Sequence, residues 1–198
     1  MKTEMAWIAG GVAFIVVLFA LLRALDKRAQ VRRIGEDRAR LDGEIRSRLE
    51  GAARLIGGEV VGTSVLRTSL GELSLLASQA PQRATIDVTR FSASRKGPQV
   101  LQLIPVADAQ ALLTFKNVRP VVIGDPVVDE SYKVVASDEA FARILITPAL
   151  VSRMKAVDGA ARARGRLLIS TYGVTLMVPR GLRKPEDLKA FYDVAVRV

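Results

Sequence analysis

The chain has 198 residues, enough for one ordinary domain and an appendage, and carries a net charge of +10. It contains no Cys and no His, which excludes disulfide staples, thiol nucleophiles, Ser-His-Asp machinery and every zinc, haem or iron–sulfur site that needs those ligands. The hydrophobic fraction of 49% is unevenly spread, and its densest stretch comes first.

Met5 to Leu22 is an uncharged run of 18 residues, apolar everywhere except Gly10 and Gly11. As a helix it spans roughly 27 Å, and Ala24 and Leu25 extend it to the ~30 Å of a bilayer core. A buried core helix that is apolar on every face would need a much larger domain around it. A cleaved signal peptide fits poorly as well. Lys2 is the one basic side chain ahead of the run, and Leu22-Arg-Ala-Leu-Asp-Lys-Arg28 is charged where cleavage needs small residues. Residues 1–25 are therefore expected to be an uncleaved transmembrane anchor. Arg23, Lys27, Arg28, Arg32, Arg33, Arg38 and Arg40 follow the run, against Lys2 before it. Positive residues stay on the cytoplasmic side, so the amino terminus is expected outside and the main domain in the cytoplasm.

Residues 26–58 change character. Ile34, Leu41, Ile45, Leu49, Ala52 and Ile56 recur at steps of 7, 4, 4, 3 and 4, which predicts one amphipathic helical stalk with a narrow apolar stripe. Glu36–Arg40, Asp42–Arg46 and Glu50–Arg54 stand at i,i+4 with the acid first. Gly35, Gly43 and Gly51 each weaken an isolated helix by about 1 kcal/mol relative to Ala, so the stripe needs a partner. Docking on its own domain is the favoured arrangement, and self-association through the stalk the alternative. Gly57-Gly58 is the predicted stop.

Residues 59–198 read as an α+β domain. Val60–Leu66, Glu72–Ser78, Ala84–Phe91, Val100–Pro105 and Ala111–Phe115 are short apolar or alternating runs separated by turn-sized gaps, which predicts an antiparallel meander. In the third of these, Thr85, Asp87 and Thr89 alternate with Ile86, Val88 and Arg90, so one face of that strand is expected to be wet. A strand Tyr132–Val135 leads to a two-piece helix. Ser137 is the predicted N-cap of 138–146, and Thr147 caps a second piece, 148–157, that Pro148 opens and Asp158-Gly159 ends. Arg166–Ser170 and Val174–Val178 form a β-hairpin around Thr171-Tyr-Gly173. Pro185 opens a C-terminal helix with Leu188, Phe191, Tyr192 and Ala195 on one side.

The stretch Asp129-Glu-Ser-Tyr132-Lys-Val-Val-Ala-Ser-Asp138-Glu-Ala-Phe-Ala142-Arg-Ile-Leu145-Ile-Thr147-Pro148 resembles an uncharacterised bacterial membrane-associated family. Its signature is acid-x-x-aromatic-x-Val, then Asp, then Ala, then Leu-x-Thr-Pro. The strand pair and terminal helix that follow are similar too, as is an upstream membrane segment. The resemblance covers about residues 60–198 and implies a fold and a bacterial cytoplasmic (inner) membrane. It implies no reaction, and no catalytic residue carries over.

Few constellations carry chemistry. Ser152-Arg-Met-Lys155 has the Ser-x-x-Lys form of penicillin-binding enzymes, but the Ser-Asp-Asn and Lys-Thr-Gly companions are missing. Asp125, Asp129, Glu130, Asp138 and Glu139 are oxygen donors without the spacing of a cation loop. Gly57-Gly58 and Gly62 make no phosphate-binding fingerprint. No catalytic residue, cofactor or metal is expected. One feature does stand out, the basic set Arg153, Lys155, Arg162, Arg164, Arg166, Arg180, Arg183 and Lys184. A basic rim of this kind suits anionic lipid at about 1 kcal/mol per cation near the surface. Nucleic acid is not expected, because no aromatic is interleaved to stack bases. The leading expectation is a non-enzymatic, membrane-anchored interaction or scaffolding domain with an unknown protein partner. The alternatives are a lipid-reading module and a carboxylate- or Ser/Lys-based enzyme, which a cleft holding Asp125 or Asp129 beside Lys133 would favour.

Overall fold

The computed structural model describes residues 2–77, 86–111 and 117–198; the side chains of residues 2–22, 24, 28, 86, 87 and 109–111 lie outside that description. A long helix, α1 (Lys2–Ile56), opens the chain. The molecule divides into two units, residues 1–40 and Leu41–Val198. Among the described residues no helix is long and apolar enough to cross a membrane. The apolar run Met5–Leu22 belongs to the residues whose side chains are not described.

The second unit starts inside α1, which corrects the expected boundary at residue 59. Leu41, Ile45, Leu49 and Ala52 are at most 6% exposed and belong to the same core as the sheet. The last four turns of the stalk thus dock on their own domain. Ile34, one step earlier on the stripe, is exposed. Gly51 has a use beyond its helical cost. A Cβ there would stand 2.7 Å from the Pro185 ring, so its absence lets two helices approach closely. The ion pairs along α1 are Arg32–Glu36, Arg46–Glu50 and Glu44–Arg48 rather than the three predicted ones. Gly57, at φ 84°, ends the helix and donates its N–H to Ala53.

The sheet comprises β1 (Glu59–Val61), β2 (Val65–Arg67), β3 (Glu72–Ala77), β4 (Ile86–Ser94), β5 (Leu101–Pro105), β6 (Arg119–Val121), β7 (Tyr132–Ala136), β8 (Arg166–Ile169) and β9 (Gly173–Val178). All neighbouring pairs are antiparallel, in the order β1-β2-β3-β4-β9-β8-β5-β7-β6. The expected meander holds from β1 to β4 and then breaks, because the β8–β9 hairpin is inserted between β4 and β5. Val60–Leu66 is not one strand but a hairpin that turns through Gly62 at φ 64°. Of the predicted strand Ala111–Phe115, Ala111 closes a 3-10 stretch, Val106–Ala111, and the rest lies outside the described residues, as do Ser78, Ala84 and Thr85.

Four more helices follow α1: α2 (Pro126–Asp129), α3 (Glu139–Leu145), α4 (Pro148–Ala161) and α5 (Pro185–Ala195). Thr147 caps α4 through the Leu150 N–H at 3.2 Å, with Pro148 in its first turn. Asp138, not Ser137, caps α3. The Ser137 hydroxyl instead accepts the Val100 N–H at 2.9 Å and fastens the end of β7 to β5. α4 continues past Asp158-Gly159 to Ala161, because Val157 and Ala161 prolong its buried stripe.

Strand parity separates two faces. Leu66, Leu73, Leu75, Thr89, Phe91, Leu101, Leu103, Tyr132, Val134, Leu167, Ile169, Leu176 and Val178 share one face. All are nearly inaccessible and pack with the buried residues of α1, α3, α4 and α5. There Phe91 and Tyr192 meet edge to face at 5.5 Å. Thr89 was read into the wet alternation, yet it points into this core at 0% exposure. Its hydroxyl accepts the Leu182 N–H at 2.9 Å and donates to the Arg180 carbonyl at 3.3 Å. The wet side of β4 carries Arg90 instead, on the helix-free face.

Candidate functional site

The acidic cluster dissolves into local structure. Asp125 caps α2 by accepting the Val127 and Val128 N–H groups, and Asp129 accepts those of Ile123 and Gly124 at 3.0 and 2.9 Å. Asp138 caps α3, and Glu139 pairs with Arg143. Among the described residues no three acidic side chains are grouped to hold a metal ion. Ser152 and Lys155 both lie exposed on α4 with no bond between them. The carboxylates an enzyme would need are thus holding backbone amides.

A tighter polar knot ties α4 to β7 and β8. The Tyr132 hydroxyl donates to Asp158 Oδ2 at 2.6 Å, and the Gly165 N–H donates to Oδ1 at 2.7 Å. Burial raises the Asp158 pKa above the ordinary carboxylate value. The hydrogen bonds from Tyr132 and Gly165, and then the charges of Arg164 and Lys155, act the other way. Burial, and then the bond to Asp158, raise the Tyr132 phenol as well. Next to Asp158, Met154, Val157 and Phe191 help to line a void of about 10 Å³, no larger than one water. A substrate cannot enter there, so the knot is a fastening. The aromatic of the Asp129–Pro148 stretch is therefore one of its two members.

The eight basic residues do not form one face. Arg153 and Lys155 are two residues apart on α4, about 160° around the helix from each other. Arg162 follows α4 in a left-handed turn at φ 52°. Arg164 donates to the Ser131 carbonyl at 3.3 Å. Arg166 leaves the group altogether. It lies on the helix-free face, paired with Asp108 at 3.0 Å and in register with Met177 and Arg90. Arg180, Arg183 and Lys184 are exposed on the β9–α5 loop. That loop passes beside the docked part of α1, where Arg48 Nη1 donates to the Leu182 carbonyl at 3.2 Å.

The geometry thus offers a loop of three cations beside the docked helix and a separate set of cations across the helix-free face. The second set includes Arg90 and Lys133, which the reading by sequence clusters missed. Alternation along the strands carries the signal for it, but only once cross-strand register is known. Compared with known protein families, with curated proteins and with solved structures, the chain matches none.

Proposed function

We propose that this chain is a single-pass protein of a bacterial cytoplasmic membrane, amino terminus outside, whose α+β unit is a non-enzymatic interaction module facing the cytoplasm. One observation carries the reading. The apolar run Met5–Leu22 and the docked stripe Leu41–Ala52 belong to a single helix, Lys2–Ile56. A segment apolar on every side finds its solvent in lipid, while the amphipathic end of the same helix completes the core of the folded unit. The basic flank from Arg23 to Arg40 supplies the orientation. The polar groups of the second unit serve caps and fastenings, which favours binding over catalysis.

A cysteine-free chain allows a clean topology test. Thr3→Cys and Ser94→Cys are introduced separately, and intact cells are treated with an impermeant maleimide. Labelling at position 3 and protection at 94 is the expected outcome. Labelling at 94 but not at 3 overturns the orientation, and recovery of the chain in the soluble fraction overturns the anchor.

The position of the β9–α5 loop against α1 favours a second reading, in which Arg180, Arg183 and Lys184 touch anionic headgroups. Vesicle sedimentation of the unit Leu41–Val198 tests it. Binding to phosphatidylserine vesicles should fall steeply with salt and be lost when the three cations become Glu; no binding at low salt removes this reading. Such a fragment must begin at Leu41, because starting at residue 59 deletes Ile45, Leu49 and Ala52 from the core.

A further inference from the structure

The helix-free face of the sheet carries a charge arrangement that neither the fold nor the membrane reading uses. Across it, register sets Arg90 opposite Met177, Met177 opposite Arg166, and Ile104 opposite Lys133. Carrying the pairing Leu103↔Leu167 one residue further brings Ile104 opposite Arg166. The result is a row, Arg90–Met177–Arg166–Ile104–Lys133, in which cations alternate with apolar side chains. Successive cations are two strands apart, roughly 10 Å. Asp108 is the one acid that pairs with the row.

At the middle of this row the surface opens into a cleft of about 250 Å³ lined by Gln102, Ile104, Arg166, Leu168, Thr175 and Met177, with Leu167. Gln102 and Ile104, at 2% and 5% exposure, form its floor, and Leu168 and Met177 its half-buried walls. That volume lies just below the ~300–1,000 Å³ of drug-sized sites, so it suits a short ligand or the end of a chain. Arg166 holds Asp108 through Nη2, and its Nε is buried with no partner. A buried N–H without an acceptor costs free energy and calls for an explanation. An acceptor brought by a ligand supplies one, and the net positive row around it selects for an anion.

We propose that this cleft binds a medium-chain aliphatic carboxylate, with its head on Arg166 Nε and its chain against Ile104, Leu168 and Met177. The proposal does not depend on the membrane anchor, since every residue it uses lies in the second unit.

The methionines make it testable in the full chain. Met177 lines the cleft, whereas Met154 is buried in the core on the other face at 2% exposure. The chain is labelled with methyl-13C methionine in phosphatidylcholine nanodiscs and titrated with octanoate. The Met177 methyl should shift saturably while Met154 stays in place. Octanol should bind about tenfold more weakly, because it has no carboxylate, and acetate should leave Met177 unmoved, because it has no chain. Arg166→Gln should weaken octanoate about tenfold. Asp108→Asn, which frees the guanidinium, should strengthen it. A purely structural Arg166–Asp108 pair would not give those opposite signs. The proposal fails if Met177 does not respond to octanoate, if Met154 moves equally, if octanol does as well as octanoate, or if both variants change binding in the same direction. The wild-type titration alone decides the matter should either variant not fold.

Discussion

The two faces of the sheet are built from the same strands and treat polar atoms in opposite ways. On the covered face each polar group has been given a partner within the chain. Thr89 bridges two backbone groups of the β9–α5 loop, Tyr132 holds Asp158, and the nearby Ser137 hydroxyl closes on Val100. On the helix-free face Arg166 keeps an unpartnered Nε, and Arg90 and Lys133 stand exposed beside apolar neighbours. Satisfied buried polar groups specify one packing, while unsatisfied ones represent a cost that a binding partner can remove. The contrast teaches that stability is concentrated on one face and recognition on the other.

Two threonines sharpen the comparison most. Thr89→Val leaves the Leu182 N–H and the Arg180 carbonyl without their buried partner, and should lower stability by about 1–3 kcal/mol. Thr175→Val, on the adjacent strand and the opposite face, should stay within about 0.5 kcal/mol. Chemical unfolding of the full chain in nanodiscs, followed by circular dichroism, compares them. Equal losses would mean that the two faces are not distinct.

A smaller effect concerns Asp158. Its pKa is raised in the folded protein, chiefly by burial, so the folded state holds this proton more tightly than the unfolded chain. The associated stability is complete below the ordinary aspartate value of about 3.9 and is lost as pH rises through the folded-state value. Asp158→Asn should therefore flatten the decline in unfolding midpoint from about pH 4 upward. Superimposable pH curves for the variant and the parent would contradict this assignment.

How far these faces were legible in the sequence depends on the range of the forces that set them. The stripe Leu41–Ile45–Leu49–Ala52 and the Thr147-Pro148 start are local patterns of 3.6-residue periodicity and capping, and both appear where the residues imply. The insertion of β8–β9 between β4 and β5 is a non-local pairing with no short-range signature, so adjacency in sequence suggested a meander. Arg166-Leu-Leu-Ile-Ser170 lacks clean alternation, and nothing in it tells which face Arg166 takes. It was therefore grouped with its sequence neighbours Arg162 and Arg164, when register joins it to Arg90. The Val60–Leu66 run looked continuous because Gly62 is one turn residue amid strand formers, and only its φ of 64° reveals the hairpin.

The division between the faces can be read most directly from two consecutive residues of β9. Leu176 lies on the covered face at 2% exposure, and Met177 lies half-buried on the helix-free face. Leu176→Ala should cost about 2–5 kcal/mol through lost burial and the cavity left behind. Met177→Ala should cost no more than about 1 kcal/mol, since its surroundings already include open space. Unfolding both variants under the same conditions gives the answer: a large loss at 176 with a small one at 177 is the result expected, and matching losses at the two positions would contradict it.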